Sequence, residues 1–504
     1  MKALVAFSFF CNMRAFHRLA EGPRLQTQVS TTHLSLPTAS ACYPTSDPSS
    51  NCTKVIDNWF DGNWRSSMPG SMEAPNLEVL MLNNGTMDAC YLNTTITGWV
   101  NFAVKHNLNL VVKNTGHDVL GPSVAQGAPA NETYDAVTLG TGTQWHETYD
   151  TVNQHGRMMV GGISPGGSVG AAGGWLAGGG HSTLSPTYGL GTFVTDFVLC
   201  SELNIDIPLK ALIIVSMGDY LTVNNYQNPD LFWALRGGGG STYGIVTSLT
   251  YYTYPSVPVQ SYHFQANVTN SSAMLELVGE LLHSQTQFTG DGWGGYGSVN
   301  NQAVSFLYSV PNMTSEAADV TTQAWTNYVL SLEPWGVTSA TTISSMPSWY
   351  EFYETTLSTG VENGGNIMMS SRLLSQDTVA NTSKEVAQAL IDSGGKVNQI
   401  NPDSLGVNPA WRNAVVQTSC EASWQDGATS TEIDGIIDQL KGRIKTIPWQ
   451  PQASSFEIDW QETFFGSHHS TLKSIKNKYD PHKLFVVAQG VGADDWNQEL
   501  TCRS

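Results

Sequence analysis

The chain has 504 residues, 40% of them hydrophobic, enough for a large core and for more than one domain. It carries 23 Lys and Arg against 42 Asp and Glu, a net charge of -19, which argues against nucleic acid and anionic membranes as partners. No segment is long and apolar enough to span a bilayer, and the seven cysteines form no Cys-X-X-Cys pair, which leaves zinc and thioredoxin-like chemistry without support.

Residues 1–45 form a leader rich in Ser, Thr and Pro. Lys2 precedes a short apolar run from Ala3 to Phe10, so residues 1–20 read as a candidate signal peptide, without a clean small-residue cleavage site. Eight Asn-X-Ser/Thr sequons, at Asn51, Asn84, Asn93, Asn131, Asn267, Asn270, Asn312 and Asn381, point to a secreted, N-glycosylated protein. The odd cysteine count leaves at least one thiol unpaired. Cys52 with Cys90 is the preferred disulfide, although spacing does not fix connectivity.

Val100, Ala103 and Val104 give residues 97–107 helical spacing. Leu108, Leu110, Val111 and Val112 then read as a buried strand that breaks into the polar turn Lys113-Asn114-Thr115-Gly116-His117-Asp118. Gly116 frees the backbone there, and His117 stands at the mouth of the strand. Ala136–Gly140 reads as a strand, Trp145–Asn153 as a helix and Met158–Val160 as another strand. A first glycine cluster runs through Gly166, Gly167, Gly170, Gly173, Gly174 and Gly178-Gly179-Gly180-His181, followed by Tyr188-Gly189-Leu190. The second is Arg236-Gly237-Gly238-Gly239-Gly240, preceded by a short helix at Asp230–Leu235 and followed by Gly244 and a strand, Ile245–Tyr254. Both clusters are embedded in Val, Leu, Trp and Phe, unlike a flexible linker. Runs of exposed backbone N–H groups suit a dinucleotide pyrophosphate without basic side chains.

Past Pro255 the pattern changes to helices at Ala273–His283, Ala317–Leu332, Glu385–Ile391 and Glu432–Ile447, alternating with strands such as Val304–Val310. Leu472 and Ile475 give a last helix an apolar stripe, which Asp480-Pro481 ends. The fold class is α+β.

The segments Lys113–Asp118, Gly178–Ser182, Tyr188–Leu190, Asp230–Gly240 and Leu472–Pro481 resemble the FAD-linked oxidoreductases of the vanillyl-alcohol oxidase and p-cresol methylhydroxylase fold. Within it they look like the berberine-bridge-enzyme-like branch and its secreted fungal members. The resemblance implies an FAD-binding domain over 72–257, a substrate domain over 258–455 with an antiparallel sheet and helices, and a C-terminal segment over 456–504 that returns to the FAD domain. It implies FAD bonded covalently through His117. The residues it places around the cofactor are Lys113, Asn114, Thr115, Gly116, His117, Asp118, Val169, Gly170, Gly174, Gly178, Gly179, Gly180, His181, Tyr188, Gly189, Gly239, Gly240, Gly244, Ile245 and Val246, with Val169 gating oxygen. It implies a monomeric oxidase that takes a small-molecule substrate, an alcohol, sugar or secondary metabolite, and oxygen.

The chain also departs from the family. Ser164-Pro165 or Gly166 stands where many relatives carry a second flavin-linking Cys, so one covalent bond is expected. Ser454 and Phe456 stand where a catalytic Tyr-X-Asn is expected, which leaves the base unassigned, with Glu457, His468 and Tyr296 as candidates by chemistry alone. The stretch Cys200–Gly218 is longer than the family pattern. Three other readings stand beside the oxidase. They are a dehydrogenase with another acceptor, a flavin-fold glycoprotein that has lost catalysis, and a serine hydrolase on Gly162-Ile163-Ser164-Pro165-Gly166. The last lacks an essential donor, because Pro165 has no N–H for the oxyanion hole. Gly292–Gly297 matches a Rossmann spacing, but the strand-like Ser298–Val310 follows where a helix is needed. His468-His469 has no further ligand at metal spacing and reads as a helix N-terminal turn.

Overall fold

The computed structural model describes residues 7–8, 38–42, 51–68, 71–74, 91–92, 104, 136–191, 211–360, 364–393, 396–399, 406–446, 451–454, 457–497 and 500. The turn Lys113–Asp118, with His117, lies outside them, as do Cys90 and the helix expected over 97–107 except Val104.

The larger sheet grows from alternation in the sequence. Counting strands in chain order from Phe7–Ser8 (β1) and Tyr91–Leu92 (β2), strand β9 (Val259–Val268) buries Tyr262, Phe264, Ala266 and Val268 and exposes His263, Gln265 and Asn267. A period of two puts one face of this strand in the core. Its antiparallel partners are β11 (Ala303–Pro311) and β12 (Val337–Met346), with Phe264 opposite Phe306 and the two rings stacked at 4.9 Å. The sheet continues through β10 (Gly294–Val299), β14 (Lys396–Gln399), β15 (Ala414–Trp424), β13 (Asn366–Ser375) and β16 (Pro451–Ser454), eight strands in the order β12-β9-β11-β10-β14-β15-β13-β16. Every described pairing in it is antiparallel. Long helices at Ser271–Gly290, Ser315–Ser331, Ser383–Ser393 and Ser430–Thr446 belong to the same core. The first two start at side-chain caps, where Asn270 accepts from the N–H groups of Ser272 and Ala273, and Thr314 from that of Ala317.

A smaller antiparallel sheet joins β3 (Ala136–Gly140), β7 (Ile245–Tyr252), β5 (Ala211–Ile214) and β6 (Tyr220–Val223) in the order β3-β7-β5-β6. Its core gathers aromatic rings, Trp145 and Tyr149 from the helix Trp145–Gln154, with Trp175 and Tyr251 and with Trp349 and Tyr353 from the segment after β12. The C-terminal helix His469–Tyr479 buries Leu472, Ile475 and Tyr479 in this same core and stops before Pro481. The molecule is therefore α+β, with antiparallel sheets and helices and no barrel among the described residues.

Two expectations are corrected. The strand after the Trp145 helix is only Arg157–Met158 (β4), paired with Tyr254–Pro255 (β8), and does not reach Val160. Gly161 and Gly162 follow, and side chains of Trp145 and Tyr149 occupy the space their Cβ atoms would need. The disulfide joins Cys42 to Cys52, with Cα atoms 4.7 Å apart, and not Cys52 to Cys90. Cys42 ends a 3-10 turn (Thr38–Cys42) and Cys52 opens the helix Cys52–Asp57, whose cap Asn51 accepts from Lys54 N–H. Ala39, Val55 and Trp59 pack the turn against the helix, which fixes the two sulfurs side by side. Cys420 is buried and takes part in no disulfide among the described residues.

Candidate functional site

The two glycine clusters, far apart in sequence, lie against each other. Gly239 N–H donates to Ala177 O at 2.9 Å, and a Cβ on Gly240 would lie 3.6 Å from the Gly174 Cα. Gly179, Gly180, Gly237 and Gly239 all have positive φ, at 113°, 70°, 97° and 102°, a region that side chains other than glycine rarely enter. Gly174 opens the short helix Gly174–Ala177, Gly178 ends it by donating to Gly174 O, and nothing lies within 4 Å of the missing Gly174 side chain. The N–H groups of Gly180 and Gly240 have no hydrogen-bond partner among the described residues.

Val407 closes the junction. Gly179 and Gly237 both face it, and a Cβ on Gly237 would fall 2.6 Å from the Val407 Cβ. The Val407 carbonyl accepts from His468 Nδ1 at 3.0 Å. Asn408 donates to Thr463 O at 2.8 Å and caps the 3-10 turn Pro409–Asn413 through Ala410 N–H. The loop 406–408 thus joins the larger sheet, through Leu373 and Trp411, to both glycine clusters. Nothing in the sequence reading singled it out. Its one local signal is the Asn408-Pro409 turn dipeptide.

The remaining cofactor candidates divide. Gly170 bridges Gln144, and Val169 accepts from Trp145 N–H at 2.9 Å and packs against the aromatic cluster. His181 is half-buried and meets the edge of the Tyr296 ring, with centroids 6.2 Å apart. Tyr188 packs on Tyr254 at 4.4 Å, and Gly189, φ 86°, caps the turn Ser185–Tyr188. Gly244, Ile245 and Val246 lead into β7, where Ile245 and Val246 pair with Ile214 and Ile213. The last two shape the sheet and not the glycine junction.

The three base candidates fare differently. Glu457 forms an ion pair with the buried Arg372 at 3.0 Å, so its carboxylate is committed to that guanidinium. His468 is fixed by Val407 and packs edge-on to Trp233 at 5.0 Å. Burial lowers its pKa below the usual 6.5, against the two carbonyls that raise it. Tyr296 lies on β10 beside His181. Burial raises its phenol well above the ordinary value, so at neutral pH it is a donor and not a base. Burial lowers the His181 pKa, which keeps that imidazole neutral.

The rival motifs dissolve in the structure. Ser164 is buried, its Oγ has no partner among the described residues, and Pro165 opens a 3-10 turn in place of a nucleophile elbow. Gly294–Val299 is itself a strand, so the Rossmann spacing is coincidental. His468 and His469 form the N-terminal turn of the last helix.

Comparison with known proteins agrees with this geometry. The family model described as berberine and berberine like matches residues 438–492. An uncharacterized FAD-linked oxidoreductase of Arthroderma benhamiae is 29% identical over 523 aligned positions, covering 91% of this chain and 89% of that one. The crystal structure of the VAO-type flavoprotein MtVAO615 from Myceliophthora thermophila C1 superposes with a TM-score of 0.80 over 98% of both chains, at 22% identity. The glucooligosaccharide oxidase of Acremonium strictum, described with a 6-S-cysteinyl, 8α-N1-histidyl FAD, superposes with a TM-score of 0.63 at 17% identity, covering 79% of this chain and 89% of that one.

Proposed function

We propose that this chain, a berberine-bridge-like member of the vanillyl-alcohol oxidase and p-cresol methylhydroxylase flavoproteins and an FAD-dependent oxidoreductase, is a secreted oxidase of a small alcohol, sugar or secondary metabolite. The observation that carries the reading is the meeting of the two glycine clusters over Val407. Side-chain-free backbone, open space at Gly174 and the N–H groups of Gly180 and Gly240, unpartnered among the described residues, fit a pyrophosphate that approaches the main chain directly. Gly174, Gly178–Gly180 and Gly239–Gly240 would hold it, and His117 would hold the ring covalently. When bound, the flavin supplies a hydride acceptor whose electrons pass on to oxygen.

The chain's own groups then divide the remaining work. Tyr296, kept protonated by burial, donates a hydrogen bond to the substrate oxygen and orients it. His181, kept neutral across from it, receives the proton that leaves that oxygen. Val169, small and only partly buried, leaves oxygen an approach beside the Trp145 cluster. Passage through the secretory route is supported by exposure of every described sequon asparagine, Asn51, Asn267, Asn270, Asn312 and Asn381. The test of the function is oxygen consumption with hydrogen peroxide release across a panel of sugars, alcohols and phenolic metabolites. Reoxidation of substrate-reduced protein by a quinone dye but not by oxygen would instead make it a dehydrogenase.

A further inference from the structure

We propose that Lys476 and Asp480 form a buried ion-pair staple that positions the Gly237–Gly240 loop for the cofactor. This rests on the reading that the loop holds the flavin. The two residues sit one turn apart at the end of the helix His469–Tyr479, and their side chains are 4% and 0% exposed. The Lys476 ammonium donates to the Thr242 carbonyl at 2.6 Å, to Asp480 and to the Phe485 carbonyl, so all three of its N–H bonds are used. Asp480 in turn accepts from the N–H groups of Leu484, at 2.9 Å, and Phe485, at 3.0 Å.

Stability alone is a poor reason for such a pair. Taking two charges out of water is expensive, and apolar replacements of a buried pair are often neutral or stabilising. What an apolar pair cannot do is grip the Thr242 carbonyl. Thr242 closes the glycine loop, and its Oγ1 donates to Gly240 O at 3.1 Å. Gly239 N–H ties the loop to Ala177 in the other cluster. A run of four glycines loses more backbone freedom on ordering than any other sequence. Lys476 therefore restrains, through Thr242, the same turn that carries the Gly240 N–H. These are positioning residues and touch neither substrate nor cofactor.

The test is the double variant K476M/D480N. It removes both charges and keeps an oxygen for the Leu484 N–H, while the Phe485 N–H loses the acceptor that Asp480 provides. The expected result is flavin-free protein that still unfolds cooperatively, at a melting temperature lowered by only a few degrees, with flavin incorporation at limiting FAD reduced roughly tenfold and the flavin circular dichroism weakened. That loss matches one charge-assisted hydrogen bond. Incorporation equal to wild type would overturn the staple while leaving the cofactor reading intact. Wild-type protein that takes up no flavin would overturn both. Hydrogen exchange of wild-type protein keeps the test open if the variant does not fold. Flavin loading should slow the Leu484 and Phe485 amides together with those of 238–243. Slowing confined to 238–243 would refute the coupling.

Discussion

Replacing Gly237 by Ala tests the junction with a magnitude drawn from its geometry. At φ 97° a side chain costs roughly 1–2 kcal/mol of backbone strain. The new Cβ would also lie 2.6 Å from the Val407 Cβ, 2.7 Å from its N and 2.8 Å from its Cα. Val407 has little freedom to retreat, because His468 holds its carbonyl and Asn408 anchors the next residue to Thr463. Overpacking of this kind adds about 1–3 kcal/mol. The sum, about 2–5 kcal/mol, corresponds to a fall in melting temperature of roughly 4–20 °C for a domain of about 150–250 residues. The control is Gly240→Ala, whose φ is not positive and whose Cβ would meet only an ordinary 3.6 Å contact. Thermal unfolding followed by tryptophan fluorescence, with the flavin-to-protein absorbance ratio measured on the same samples, compares the two. Equal melting temperatures for both variants would refute the Val407 contact and the junction built on it.

Four further outcomes are expected. Glu457→Gln leaves Arg372 buried without its counter-charge and should destabilise by about 3 kcal/mol in denaturant titration, while turnover per bound flavin holds; a large loss of turnover with unchanged stability would restore Glu457 as the base. Tyr296→Phe should lower kcat roughly a hundredfold with flavin content unchanged, the size of a lost proton-positioning group, and an unaffected kcat would remove Tyr296 from the site. The pKa of His468 is lower in the fold than its ordinary 6.5, so the unfolded chain takes up the proton first; its stabilising contribution is complete above the ordinary value and declines as pH falls below it toward the lowered pKa of the folded state. His468→Gln, which keeps a donor for Val407, should flatten that decline in pH-dependent melting, and an unchanged slope would discard the argument. Non-reducing peptide mapping should find Cys42 linked to Cys52, and Cys42→Ser should cost about 2.5–3 kcal/mol by the loop-entropy estimate; a Cys52–Cys90 peptide would contradict the fold of the N-terminal turn.

Elements with strong local signals were legible in the sequence. The strand Ala136–Gly140 has its expected bounds, and the helix at Trp145 differs by one residue, because alternation and helical spacing there coincide with a capping box through Gln144 and Glu147. The last helix ends where Asp480-Pro481 said it would. The two glycine clusters were legible as backbone surfaces, but their meeting was not. It depends on Val407, which lies more than 150 residues beyond either cluster and carries no polar chemistry to announce itself. Separation along the chain, here 85 residues, also hid the partner of Glu457. A carboxylate in that segment reads as a base until Arg372, on β13, is found against it. The disulfide failed for a related reason. Ten residues separate Cys42 from Cys52, and only the packing of Val55 and Trp59 on the turn brings their Cα atoms within reach. Lys476 carries no sequence signal beside the apolar stripe of Leu472 and Ile475, and burial, which no spacing records, is what gives it a role.

The most direct test of the account is the visible absorption of the purified full-length protein before and after acid precipitation, followed by mass analysis of the coloured peptide. The account predicts one yellow flavin per chain, colour that stays with the acid pellet, and an FAD adduct on the peptide containing His117. A colourless protein that takes up no FAD would contradict the central claim, and colour released into the acid supernatant would contradict the covalent bond.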